Sequence, residues 1–214
     1  YKFFSQNFVT SDRDMIDKLQ QTMLYGSFSP YYSENCGYLF AALWTKLFRR
    51  EILIENHVEF PTNISLYEDG MFDLYAFEFV KTVAYVQKPL YNYRILNSSL
   101  CHSYKYNSLD LYKRISEEIL RFLKSRKKTT AFENAYETRF VYYAKKQIGQ
   151  LFSSNLSFFA KYRECRRLLT CDFYDGFLRK IPTMNLVKNE KTFGRLVSCK
   201  MFFLLSLLMQ IRRG

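Results

Sequence analysis

Glycine and proline are scarce, seven and four among 214 residues, which excludes collagen-like, linker-like and low-complexity classes. The five cysteines, Cys36, Cys101, Cys165, Cys171 and Cys199, are odd in number and widely spaced, with no CxxC and no Cys/His ligand spacing. That pattern excludes a zinc module and a disulfide framework and reads as reduced thiols in cytosol. The opening YKFFSQNFVTSDRD lacks a basic segment followed by an apolar stretch and a small-residue cleavage site, so no secretory signal is read from it. Tyr1 lies in what reads as a strand, and the chain is expected to be part of a longer protein. Aromatic and basic residues are plentiful: 18 Tyr, 21 Phe, and 32 Lys plus Arg against 20 Asp plus Glu, for a net charge of +12. The aromatics demand a sizeable core. The charge favours an anionic partner, whether nucleic acid, a sugar-nucleotide pyrophosphate or an anionic membrane surface.

Ser11 and Asp14, followed by Met15, Leu19 and Met23 at intervals of four, predict a capped amphipathic helix ending near Gly26. Residues 38–50, YLFAALWTKLFRR, are apolar on most faces and basic at the end, which predicts a buried helix whose C-terminus meets cations. After an extended piece at 57–61 and a loop, EDGMFDLYAFEFVKT predicts a helix covered on nearly every side and opened by Glu68 and Asp69. Residues 82–94, TVAYVQKPLYNYR, read as two short strands or one bent edge strand interrupted by Pro89. Beyond residue 105 the pattern becomes helical. Leu111, Ile115, Ile119 and Phe122 mark one helix, and Phe132, Tyr136, Phe140, Tyr143, Ile148 and Leu151 mark another, with Lys124 to Lys128 as the turn. Short helices are expected over 157–181. Near the end, MFFLLSLLM is apolar except for Ser206 and is flanked by Arg195, Lys200, Arg212 and Arg213. It is too short for the roughly 20 residues that span a bilayer, and suits an interfacial helix facing anionic head groups.

Four pieces stand in order over residues 41–99: AALWTKLFRREIL, HVEFPTNISLYEDGMF, VAYVQKPLYNYR and ILNSS. This order resembles the second half of the catalytic domain of bacterial family 2 inverting glycosyltransferases. In that family a Trp-x-Lys-Leu-aromatic-Arg segment precedes a short Phe-containing strand, a Glu-Asp pair opens a helix, and a Tyr-x-Tyr-Arg strand ends in a Ser-containing loop. The resemblance covers residues 35–105 well and the rest weakly. It implies an α/β fold, the acceptor-side half of a GT-A type domain over residues 1–105, followed by a mostly α-helical extension over 106–214.

An inverting transferase needs a base to take the proton of an acceptor hydroxyl as it attacks the anomeric carbon. The resemblance assigns that role to Asp69, with Glu68 orienting the base or the acceptor. Arg94 and Ser99 match positions that meet the diphosphate leaving group, with Ser98 the alternative to Ser99 because loop register is open. Lys46 matches a site-facing lysine. Trp44 is either core or a stacking face for sugar. Each assignment has a plain rival: an Asp or Glu in a first helical turn is commonly a cap, and a lysine on a buried element commonly snorkels. His102, three residues beyond Ser99, is a candidate near a cation or phosphate; His57 reads as structural.

The family's Asp-x-Asp, which holds a divalent cation against the diphosphate, has no counterpart at a strand end here. The triplet Asp12-Arg13-Asp14 lies at an expected helix start instead. The resemblance therefore places the Mg or Mn ligands and the nucleotide-binding half upstream of Tyr1, and this chain alone is expected to be inactive. It implies a nucleotide-sugar donor, a saccharide or lipid-linked acceptor in surface polysaccharide synthesis, and a cytoplasmic location peripheral to the inner face of the cell membrane. A basic, aromatic-rich nucleic-acid-binding module is the alternative class, though no RNP, KH or zinc-knuckle signature supports it and no nucleic acid partner is expected.

Overall fold

The computed structural model describes residues 4, 6–25, 41–92, 94, 108–181 and 191–211. They group into two compact units: Tyr1–Tyr93 with Leu109–Tyr136, and Arg94–Ser108 with Glu137–Gly214. The sequence-based boundary near residue 105 differs from this grouping, because the helix that follows it joins the first unit.

In the first unit, strand β1 (Phe8–Thr10) pairs antiparallel with β2 (Val83–Tyr85), placing Phe8 opposite Tyr85. This is the one sheet among the described residues. Phe4, Phe8 and Tyr85 bring their rings together beside it. Helix α1 (Arg13–Tyr25) begins where the Asp12 carboxylate accepts from the Asp14 amide at 3.0 Å. Its buried Ile16, Leu19 and Met23 meet α3 (Glu68–Phe77), whose apolar residues are also buried. Gln20 Nε2 donates to the Leu74 carbonyl at 2.8 Å, tying the two helices where both are dry.

Helices α4 (Ser108–Ser125) and α5 (Thr130–Phe152) match the two expected after residue 105. The basic turn between them is not a purely solvated charge run. Lys128 is largely covered: its Nζ donates to Gln20 Oε1 at 3.1 Å, pairs with Glu78 and sits 4.5 Å from the centre of the Phe132 ring.

The expected helix over 38–50 is not what residues 41–50 form. Residues 42–49 hold only a 3-10 turn at Leu43–Thr45, after which Lys46 is extended, with φ −132° and ψ 151°. From Trp44 to Arg49 the residues alternate between half-buried and exposed, so Trp44, Lys46 and Phe48 turn inward while Thr45, Leu47 and Arg49 face out. The aromatic richness concealed a period of two. Arg49 and Arg50 do not end a helix; they start α2 (Arg50–Glu55).

In the second unit, the later part of α5 stands with α6 (Phe158–Leu169), α7 (Asp172–Leu178), α8 (Lys191–Ser198) and α9 (Phe202–Ile211). Phe140 stacks on Phe177 at 4.7 Å and meets Phe173 edge-on. The buried Tyr174 hydroxyl bonds Gln147, whose amide donates to Ser108 Oγ at 2.6 Å. The thiols of Cys165, Cys171 and Cys199 form no disulfide; the first is buried, the second half-buried and the third exposed. No helix among the described residues is long and apolar enough to cross a membrane.

Three helices end in the same way without glycine. His57, Lys127 and Lys200 have φ of 49°, 48° and 56°, the left-handed region. In each case the next amide reaches back to the carbonyl five residues earlier: Val58 to Leu53, Lys128 to Leu123 and Met201 to Leu196. This is the Schellman closure, which satisfies carbonyls left open at a helix C-terminus.

Candidate functional site

Helix α3 presents its acids through a constrained start. Tyr67 precedes it with φ 68°, and the Tyr67 hydroxyl donates to the Met23 carbonyl at 2.8 Å, fixing the entry against α1. The Tyr67 ring lies where a side chain at Gly70 would go, since a Cβ there would meet a ring carbon at 1.9 Å. Glycine in EDG is thus demanded by close approach rather than by backbone freedom. This locks the first turn and with it Glu68 and Asp69, both half-buried.

The 3-10 turn Leu43–Thr45 reaches the same place. Asp69 receives a hydrogen bond from the Leu43 amide, and the Lys46 charge also favours its ionised form. Burial and the neighbouring Glu68 outweigh both, so the Asp69 carboxyl is held above the ordinary carboxylate range. Lys46 Nζ stands 2.9 Å from Asp73 Oδ2. It spends hydrogen bonds on the Ala42 carbonyl at 3.1 Å and Thr45 Oγ1 at 3.2 Å. Burial pulls the Lys46 ammonium below its usual value, although Asp73 and Asp69 oppose this.

Asp73 is one helical turn beyond Asp69, so both share a face of α3. It is 0% exposed, and among the described residues neither carboxylate oxygen makes a well-angled hydrogen bond. Burial lifts its carboxyl to about 6, against the pull of the Lys46 charge. Sequence reasoning did not single out Asp73. The available signal was an acid in the middle of an apolar helix, four residues after Asp69.

The structure therefore gathers Glu68, Asp69, Lys46 and the unforeseen Asp73 in the first unit. Trp44 is half-buried and stacks on Tyr91, centroids 4.9 Å apart and planes 22° from parallel, which occupies one face of the indole. Arg94 is exposed and groups with the second unit. Ser98, Ser99 and His102 lie outside the described residues. His57 serves as a helix closure.

A carboxyl of raised proton affinity, half-open and braced by an amide and a lysine, can accept a proton from a hydroxyl brought against it. A metal is a poorer match here. Among the described residues no three His, Cys, Asp or Glu side chains converge as ligands, and Asp73 is set against a lysine. Asp12 and Asp14 are engaged in capping and in a surface pair with Lys18.

No protein-family description matches the chain, and no solved structure matches it. Over 97 residues the chain is 31% identical to a Bacillus subtilis (strain 168) protein named "Putative glycosyltransferase EpsH". The match takes in 44% of this chain and 28% of that protein's length. This weak similarity supports a glycosyltransferase in general terms.

Proposed function

We propose that this chain is the acceptor-side part of a GT-A type, family 2 inverting glycosyltransferase in which Asp69 is the catalytic base. The observation that carries the reading is the half-buried Asp69 at the opening of α3, joined by the Leu43 amide and within electrostatic reach of Lys46. The partial similarity to a protein named as a glycosyltransferase supports the same class. Asp69 takes the proton of an acceptor hydroxyl, the oxygen bonds to the anomeric carbon, and the bond to the nucleoside diphosphate breaks on the opposite face. Glu68 supplies the like charge that raises the proton affinity of Asp69. Arg94 and Ser99 are proposed to meet the leaving diphosphate, and Trp44 to meet a sugar ring. The donor is a nucleotide sugar and the acceptor a saccharide or lipid-linked saccharide of a surface polysaccharide pathway. A divalent cation, Mg or Mn, supplies charge stabilisation at the diphosphate when bound; its ligands are proposed to lie upstream of this chain.

The test uses the full-length protein that contains this chain and measures sugar-nucleotide hydrolysis with Mg or Mn. Asp69→Asn should lower the rate by about 100-fold or more, while Asp12→Asn stays near the parent. A parent-like rate for Asp69→Asn overturns the assignment.

A further inference from the structure

Helix α9 is apolar on both sides, and one side is uncovered. Phe202, Leu205 and Ser206 turn inward, where α9 meets α6 and α8 and Ser206 lies beside Cys165. On the other side Phe203, Leu204, Leu207 and Ile211 recur at helical spacing and are exposed, Phe203 by 53% and Ile211 by 66%. The patch continues onto α6. Phe203 meets the rings of Phe158 at 5.9 Å and Tyr162 at 5.6 Å, and Phe158 touches Phe159, which is 70% exposed. Keeping such a surface in water costs roughly 25 cal/mol for each Å², so a contiguous face of this kind marks a contact surface.

Charge selects the occupant. From Lys191 to Gly214 the sequence carries Lys191, Arg195, Lys200, Arg212 and Arg213 and no Asp or Glu. Lys191, Arg195 and Lys200 are exposed, and α6 adds exposed Arg163 and Arg166. A second copy would set these cations against their like, whereas an anionic lipid surface complements them. Length selects the geometry. The 10 residues of α9 extend about 15 Å at 1.5 Å per residue, half of a hydrocarbon core. A helix of that length lies in the interface rather than across it.

We propose that the outer face of α9, extended by Phe159, is a docking surface for an anionic bilayer, with Phe203, Leu207 and Ile211 entering the acyl boundary and Arg195 and Lys200 meeting phosphate head groups. The proposal stands independently of the transferase reading, because its readout is binding.

The full chain is mixed with vesicles of phosphatidylcholine containing phosphatidylglycerol, or of phosphatidylcholine alone, and binding is followed by co-sedimentation. Anionic vesicles should bind at least about tenfold more tightly. Phe203→Ser with Leu207→Ser should weaken that binding by about tenfold or more at unchanged helix content, since both side chains lose burial in the acyl boundary. Arg195→Gln with Lys200→Gln, which leaves the apolar core untouched, should weaken binding to anionic vesicles about tenfold and leave binding to phosphatidylcholine unchanged; it decides the matter if the serine variant misfolds. Equal binding by parent and both variants overturns the proposal, as does absence of binding. A parent dimer in sedimentation velocity that the serine pair converts to monomer also overturns it, assigning the face to a second copy.

Discussion

Two acids of the first unit, Asp73 on α3 and the less deeply buried Glu118 on α4, behave in opposite ways. Glu118 on α4 accepts from the Tyr75 hydroxyl at 2.6 Å and from Asn63 Nδ2 at 2.8 Å, and pairs with Arg121. Burial alone would raise its carboxyl, but these donors together hold it below the ordinary value. Asp73 on α3 has one ion-pair partner and no well-angled donor among the described residues, and its carboxyl rises. Depth and donors together separate them: Asp73 is the more deeply buried and has one lysine against that burial, whereas Glu118 keeps a little exposure and three donors. A fully supplied acid behaves as a structural knot. An under-supplied one keeps an appetite for protons, and it lies beside the proposed base.

The comparison breaks most visibly if Asp73 is removed without cost. Asp73→Leu strands the Lys46 ammonium in a covered site and should lower stability by about 3–5 kcal/mol in urea unfolding. Adding Lys46→Met should bring stability back to within about 1 kcal/mol of the parent. A near-neutral single variant would show that the pair is not buried as described.

The pH dependence sharpens the contrast at smaller scale. With its carboxyl at about 6 rather than the ordinary 3.8, folded Asp73 binds its proton more tightly than the unfolded chain. Its contribution is therefore most favourable below about pH 4 and is lost as pH rises through about 6. Glu118, held low, contributes above its ordinary value and loses that contribution as pH falls. Stability of the parent relative to Asp73→Asn and to Glu118→Gln should slope in opposite directions, the Asp73 arm by on the order of 3 kcal/mol. The smallest effect tests a single donor. Tyr75→Phe should cost about 1 kcal/mol and let the Glu118 carboxyl climb, read by NMR titration.

Much of the helical architecture was legible from the sequence. Met15, Leu19 and Met23, and later Leu111, Ile115 and Ile119, mark faces that the structure buries or half-buries in α1 and α4. The stretch from Trp44 to Phe48 was misread because nearly every residue is apolar or amphipathic, so composition carried no period. What sets its backbone is tertiary: Phe48 meets Phe72 and Phe77, Lys46 meets Asp73, and Trp44 meets Tyr91. The site was legible where the first-turn acids announced a helix start. Asp73 was not, since its significance depends on a lysine brought to it from 27 residues earlier by chain reversal.

The left-handed closures at His57, Lys127 and Lys200 carry a consequence for a chain so poor in glycine. A side chain in that conformation costs roughly 1–2 kcal/mol. At Lys127 and Lys200 the residue bearing that cost is also a cation at the carbonyl end of its helix, where charge and dipole return about 0.3–1 kcal/mol at low ionic strength. These corners thus exchange conformational ease for electrostatics, and salt becomes a reagent that acts on them: raising it loosens the ends of α4 and α8 while leaving their apolar faces seated.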